Sequence, residues 1–189
     1  MPGRPAVFLD RDGVINENRE DYVKSWDEFV FLPGVFEALR KLARNGWLVV
    51  VTSNQSAINR GLVSRAIVDE INHRMMEAIE RHGGRIEAVL YCPHRPDENC
   101  NCRKPRPGLL LEAARRFNID LSRSYLVGDA LSDIAAGLSV GCQSILVLTG
   151  RGKEELNRLV REHYIGYHVA ADLGEAVGWI LAQEDKGER

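Results

Sequence analysis

No run of apolar residues in this chain approaches the ~18 that a membrane-spanning helix requires, and the opening segment MPGRPAVFLD lacks the apolar stretch and small-residue cleavage site of a secretory signal. With neither feature present, no membrane partner is expected and the location is expected to be cytoplasmic. Charge of one sign is also missing. Against 25 basic residues stand 27 acidic ones, and a formal net charge of -2 gives no electrostatic case for binding nucleic acid. Internal repeats, low-complexity tracts and interdomain linkers are absent, so residues 1–189 are expected to form one domain around a single core. Cysteines number only 4; Cys92, Cys100 and Cys102 crowd into one short segment and Cys142 stands alone. In a reducing compartment that clustering favours metal ligation over disulfides, and Cys142 is expected in the core.

What is present is an alternation. Short apolar runs rich in β-branched residues occur at Ala6–Asp10, Trp47–Ser53, Ala88–Cys92, Ser124–Asp129 and Ser144–Gly150. Such continuous runs suit parallel strands covered on both faces. Between them, helical spacing runs over Pro33–Asn45, Ser64–His82 with a serine cap and Gly83-Gly84 as its stop, Pro107–Phe117, Leu131–Leu138 and Leu173–Gln183. Strand followed by helix, repeated about five times, predicts a three-layer, Rossmann-like α/β fold with a mostly parallel sheet. Ligands of such sheets bind beyond the carboxyl ends of the strands. The polar residues that end three of the runs, Asp10/Asp12, Ser53/Asn54 and Asp129, are therefore expected to meet at one edge.

Two acids one residue apart, Asp10 and Asp12 in FLDRDGVIN, repel each other unless a cation or partner group offsets the charge. Alone, D-x-D after an apolar run is a weak signal, since Asp is common at loop starts and caps. The ordered set FLDRDG, VVVTSN, RKPRPG and LVGDALSD is far more specific, supplying acids, a hydroxyl, an ammonium and further acids at strand and helix edges.

A second constellation stands in CPHRPDENCNC. Cys92-x-His94, five residues, then Cys100-x-Cys102 offer three thiolates and one imidazole, enough for a closed tetrahedral Zn²⁺ site. With every position filled by protein, such a zinc would be structural, pinning the loop 92–102. His73, His82, His163 and His168 are scattered and form no comparable set.

From Phe8 to about Gly150 the ordered motifs resemble those of the haloacid dehalogenase (HAD) superfamily of aspartate-based phosphohydrolases. The resemblance implies a capless HAD fold, with the zinc loop in place of a small cap domain. It makes Asp10 the nucleophile that forms an aspartyl phosphate. A catalytic Mg²⁺ would be held by Asp10, by the main-chain carbonyl of Asp12 and by Asp129. Asp12 would protonate the leaving alkoxide and then deprotonate water. Ser53, chosen over Thr52, and the main chain at Asn54 would hydrogen-bond the phosphoryl oxygens, and Lys104 would neutralise their charge. Asp133 is expected to cap or orient within the acidic cluster. Arg11 counts among the substrate contacts, although its side chain is expected on the far side of the backbone in a structural place.

The zinc loop leading into RKP narrows the resemblance to two branches, the D-glycero-D-manno-heptose 1,7-bisphosphate phosphatases and the histidinol-phosphate phosphatases. NQSAINRG at Asn54–Gly61 and CRKPRPGLL at Cys102–Leu110 are more similar to the heptose branch. On that resemblance the substrate is a small phosphorylated sugar that loses its C7 phosphate and keeps the one at C1, contacted by Asn18, Arg19, Glu20, Asp21, Tyr22, Asn54, Gln55, Ser56 and Arg103, with the Arg103 fork expected on the phosphate that remains and Arg60 as a further contact. The chain departs from the family in having Ala57 for a glycine, and GDA where the heptose enzymes commonly have GDK, so that Ala130 supplies no charge. With no sizeable insertion between strands, a monomer is expected. Two non-enzymatic alternatives are a phosphoacceptor receiver, disfavoured because the third apolar run leads into Tyr91-Cys92 and not into an acceptor Asp, and an inactive zinc-stabilised binding module, disfavoured by the intact set of acids, Ser53 and Lys104.

Overall fold

A computed structural model describes residues 3–187. Six strands, β1 (Ala6–Leu9), β2 (Leu48–Asn54), β3 (Ala88–Cys92), β4 (Tyr125–Gly128), β5 (Gln143–Val147) and β6 (Tyr167–Ala170), form one sheet in the order β3-β2-β1-β4-β5-β6. Every neighbouring pair is parallel, with Val7 opposite Val49 on one side and Tyr125 on the other. The helices are α1 (Val35–Arg44), α2 (Arg65–Arg81), α3 (Gly108–Phe117), α4 (Leu131–Ser139), α5 (Gly152–Arg161) and α6 (Leu173–Gly187).

Pleat alternation divides the core in two, because successive side chains of a strand point to opposite faces. Val7, Leu9, Val49, Val51, Tyr125, Val127, Ile145 and Val147 face α1, α2 and α6. Ala6, Phe8, Val50, Leu90 and Leu126 face the other way, toward α3 and α4, and Cys142 is buried among them. Both faces are thus covered, and the expected three-layer architecture is observed. Ser64 caps α2 as expected, its hydroxyl accepting from the Ile67 N–H at 3.2 Å. The connections after β1, β2 and β3 carry no further sheet or helical layer among the described residues.

The structure adds a helix and a strand to the alternation. Helix α5 buries only Gly152 and Leu159, so its sequence carries no broad apolar stripe, and β6 is a half-buried edge strand of 4 residues. The run Ser144–Gly150 also ends sooner than expected. Beyond Leu148, whose N–H still donates to the Ala170 carbonyl of β6 at 2.9 Å, the chain leaves the sheet, and Thr149 donates its hydroxyl to the Gly13 carbonyl at 2.6 Å, drawing the β5 exit over the β1 exit.

Candidate active site

Parallel strands end together, and here β2, β1 and β4, adjacent in the sheet, deliver the polar residues that terminate them to one edge. Asp10 extends the β1–β4 ladder by one step, its N–H donating to the Val127 carbonyl at 2.9 Å. The backbone then turns at Gly13 in the left-handed region, with φ +88, where a Cβ would run into the Asp129 carboxylate. Only glycine lets the β1 loop and Asp129 approach this closely.

Carboxylate oxygens of Asp10, Asp129 and Asp133 lie within 4.8 Å of one another, all buried. Asp133 is already committed. Its Oδ2 accepts from the Ala130 N–H at 3.1 Å, closing the first turn of α4, and its Oδ1 pairs with Lys104 Nζ at 2.6 Å. The expected orienting role is the one it occupies. Asp10 and Asp129 carry the charge that remains. Burial pushes Asp10 up to about 6 against the pull of the Lys104 ammonium, and burial with repulsion from Asp10 and Asp133 pushes Asp129 up to about 7. Asp129 Oδ1 is buried and accepts no hydrogen bond. Hard oxygen donors, mutual repulsion and an unpartnered buried oxygen are what a divalent cation would satisfy, so the residues fit Mg²⁺.

Lys104 reaches this cluster from just beyond the cysteine-rich loop 92–102. Its Nζ donates to Asp10 Oδ1 at 3.0 Å and to the Thr52 carbonyl at 2.6 Å, with Asp133 as its third partner. Burial opposes the charge, but Asp10 and Asp133 outweigh it and raise the ammonium above its ordinary value. Asn54 locks the main chain behind it, donating to the Lys104 carbonyl and accepting from the Lys104 N–H, both at 3.1 Å.

Asp12 lies in a different setting. Burial pushes it up, yet the Arg11 guanidinium and hydrogen bonds from Asn16 (2.9 Å), Arg11 and Gln55 (2.7 Å) prevail and hold it below the usual carboxylate range. The Arg11 side chain is therefore not a substrate contact. It is 1% exposed, paired with Asp12 at 3.0 Å and donating to Asn72 Oδ1 at 3.0 Å, and forms part of the support for the acid beside it.

Above these groups opens a cavity of about 440 Å³. Ser53 is in its wall while Thr52 is turned into the core; Asp10, Asp12, Asn54, Gln55, Ser56, Arg103 and Lys104 also line it. From the β1–α1 loop come Asn18, Arg19, Glu20 and Tyr22, the last near Ser56 with 3.4 Å between hydroxyls. Two expected contacts are not brought there. Asp21 turns outward to the Arg19 fork and to Lys24 Nζ (2.7 Å), and Arg60 is exposed outside the cavity. Three lining residues were not foreseen: Val23, Ser132 and Arg151. Arg151 follows the unanticipated exit of β5, so no strand-end motif marked it; Ser132 stood inside LVGDALSD as an unremarked polar residue.

The cysteine segment forms the expected cluster. Sγ of Cys92, Cys100 and Cys102 and Nδ1 of His94 lie within 4.8 Å of one another, with individual separations of 3.1 to 3.5 Å. A tetrahedron with Zn–S bonds of ~2.3 Å has edges of about 3.5 to 3.8 Å, so the four atoms fit a zinc ion after a few tenths of an ångström of expansion. The loop is also wired to the cavity. The Cys92 carbonyl accepts from the Gln55 N–H at 2.7 Å, the His94 carbonyl from Arg103 at 3.2 Å, and Glu98 from the Asn59 side chain at 2.9 Å. Cys102→Ser is accordingly expected to lower bound zinc from one equivalent to well below one and to reduce turnover ~10-fold or more through the loosened Lys104 and Gln55, without shifting the Mg²⁺ concentration for half-maximal rate. Metal analysis showing no zinc in the unaltered protein would sink the four-ligand assignment.

A HAD-hydrolase-like family matches residues 101–176. The D-glycero-beta-D-manno-heptose-1,7-bisphosphate 7-phosphatase of Pseudomonas aeruginosa is 41% identical over 159 residues, 84% of this chain and 89% of that protein. The chain belongs to this family of HAD-like phosphatases. The Helicobacter pylori protein of the same name is 39% identical over 176 residues, 93% of this chain and 96% of its own. A crystal structure of the D,D-heptose 1,7-bisphosphate phosphatase of Bordetella bronchiseptica, complexed with magnesium and phosphate, superimposes with a TM-score of 0.89 at 38% identity, covering 95% of this chain and 99% of that one. The HAD-like fold expected of the sequence is shown by these likenesses. No helix among the described residues is long and apolar enough to cross a membrane.

Proposed function

We propose that this phosphatase is Mg²⁺-dependent and removes the C7 phosphate of D-glycero-D-manno-heptose 1,7-bisphosphate to give the 1-phosphate. The observation that carries the reading is the buried Asp10–Asp129 pair, with Lys104 bonded to Asp10 at 3.0 Å, at the floor of a cavity large enough for a sugar bisphosphate. Its membership of a family of heptose bisphosphate phosphatases supports the choice of sugar.

Carboxylates of Asp10 and Asp129, with the Asp12 main-chain carbonyl, would hold the Mg²⁺, which when bound supplies the positive charge that lets a carboxylate approach a phosphoryl group. An Asp10 oxygen attacks phosphorus, and the bond to the C7 oxygen breaks with its electron pair leaving on the sugar oxygen, which takes a proton from Asp12. Water then attacks the aspartyl phosphate, Asp12 removes its proton, and inorganic phosphate leaves with Asp10 restored. The contacts from Arg11, Asn16 and Gln55 favour the ionised form of Asp12, which is the form the second step needs. The first step uses the acid form and so depends on proton uptake against those contacts. Lys104, held between Asp10 and Asp133, faces the charge of the transferring group, and Ser53, whose Oγ accepts from Gln55 at 2.8 Å, lies in the same wall. The Cys/His cluster is the structural zinc site. Arg103 and the loop from Asn18 to Tyr22, less Asp21, contact the sugar.

Phosphate release with Mg²⁺ from heptose 1,7-bisphosphate, histidinol phosphate and fructose 1,6-bisphosphate tests the reading. The heptose is expected to have the highest kcat/KM. A preference for histidinol phosphate would overturn the sugar assignment, and release from none of the three would overturn the hydrolase.

A further inference from the structure

One cation in the cavity wall is not used by the steps above. Arg151 caps the start of α5, directly after the β5 exit, and its N–H is anchored on Asp129 Oδ2 at 2.9 Å. Its side chain is 52% exposed, and the nearest carboxylate oxygen, Asp129 Oδ1, is 3.7 Å from its guanidinium, outside hydrogen-bond distance. The other cations of the cavity have partners. Lys104 is bonded to Asp10, Asp133 and Thr52, the Arg19 fork sits on Asp21 at 3.0 and 3.1 Å, and Arg103 donates to the His94 carbonyl.

Position in the sheet separates Arg151 from Arg103. In the order β3-β2-β1-β4-β5-β6, β3 and β5 lie on opposite sides of β1, so Arg103, reached through the loop after β3, and Arg151, after β5, approach the Asp10 edge from opposite sides. On the Arg151 side Ser132 adds a hydroxyl to the cavity wall, and Ala130, 3% exposed, adds no charge. The transferring phosphoryl group already has a buried ammonium and the carboxylate pair that fits a metal. A half-exposed guanidinium with unengaged donors on the opposite wall is instead suited to a second anion, because its planar fork binds phosphate oxygens in pairs and keeps its charge.

We propose that Arg151, with Ser132 on the same wall, binds the phosphate that the enzyme leaves on the sugar, and so makes this chain selective for bisphosphates over monophosphates. The inference rests on the heptose bisphosphate reading. It is tested by assaying Arg151→Ala and Arg151→Lys on heptose 1,7-bisphosphate and on heptose 7-phosphate, with calorimetric titration of heptose 1-phosphate in Mg²⁺ as a readout without turnover. The ratio of kcat/KM for the bisphosphate to that for the monophosphate is expected to fall roughly 10- to 100-fold in Arg151→Ala, through KM, with part of it recovered in Arg151→Lys and the affinity for heptose 1-phosphate weakened in step. An unchanged ratio overturns the proposal, as does an equal loss of kcat on both substrates, which would place Arg151 at the transferring group or at Asp129. Wild-type turnover of the bisphosphate combined with an unchanged ratio in the variant sinks Arg151 alone. No wild-type turnover of the bisphosphate sinks the functional reading, and the proposal about Arg151 then falls with it if heptose 1-phosphate binds both proteins equally.

Discussion

Asp10→Asn is expected to lower phosphate release by ~10⁴-fold or more while leaving the fold intact and, in metal-free buffer at pH 8, making the protein more stable than the wild type. The activity loss follows from removing the atom that attacks phosphorus: an amide oxygen keeps the shape of the side chain and lacks its nucleophilicity. The gain in stability follows from the field around the same residue. Asp10 is 7% exposed, shares its pocket with Asp129 and Asp133, and is pushed by burial up to about 6. A carboxylate whose folded value lies above its unfolded one binds more protons folded than unfolded between those values, so the metal-free protein loses stability as pH rises through that window, from about 4 to about 6. Below the window Asp10 is protonated in both states and its cost disappears. The amide never bears that cost, so the variant's advantage should be on the order of 1 to 3 kcal/mol at pH 8 and shrink to well under about 1 kcal/mol by about pH 4, read from urea unfolding in the presence of chelator. Adding Mg²⁺ should reverse the ranking, because the wild type keeps both carboxylates of the binding pair. An Asp10→Asn protein that turned over within a hundredfold of wild type, or whose stability relative to wild type did not depend on pH, would contradict this account of the site.

Lys104→Met is expected to damage both activity and stability. The substitution keeps an unbranched apolar stem in a site that is 3% exposed but removes the charge facing Asp10 and Asp133. It also strips the Thr52 carbonyl of its donor at 2.6 Å. Taking one partner out of a buried ion cluster leaves uncompensated charge in a poorly solvated place, and ~3 to 5 kcal/mol of stability should be lost at pH 8. The folded value of Lys104 is raised, so its contribution is fully present below the ordinary lysine range and is lost only as the pH climbs above it. The damage should shrink below about pH 6, where Asp10 takes up a proton and needs the ammonium less. Turnover should fall roughly 10²- to 10³-fold with Mg²⁺ present, the size typical of removing one preorganised partner of transition-state charge. Unfolding midpoints equal to wild type at both pH 5 and pH 8 would mean that Lys104 is not the counter-charge of the cluster.

Much of this molecule could be read from its primary structure, and for local reasons. Five of the six strands are written as short, mainly apolar runs, because a parallel sheet covered on both faces favours them, and Ser64 announces α2 because a helix start needs a side-chain acceptor. The Cys/His cluster that could hold a metal is legible for the same reason, since four donors brought together by one short loop must be close in sequence. Helix α5 and strand β6 were not legible, because an exposed helix with two buried residues and a short edge strand need no strong pattern.

Other decisions belong to tertiary structure. Whether a carboxylate is ionised depends on what folding packs around it: the neighbouring Arg11 and the distant Gln55 lower Asp12, whereas burial and the distant Asp133 raise Asp10 two residues away. Arg11 and Asp21 read as substrate contacts by position, but Asn72 and Lys24, through packing and charge pairing, turn them to other uses. Arg151 belongs to the cavity only because β5 pairs with β4 and its exit folds over Gly13. The sequence by itself determined which chemical groups stand at the strand ends, because each is written into a contiguous run. Only the folded chain decided which of them share a dielectric, a partner or a cavity, because those energies depend on distances that close over tens of residues.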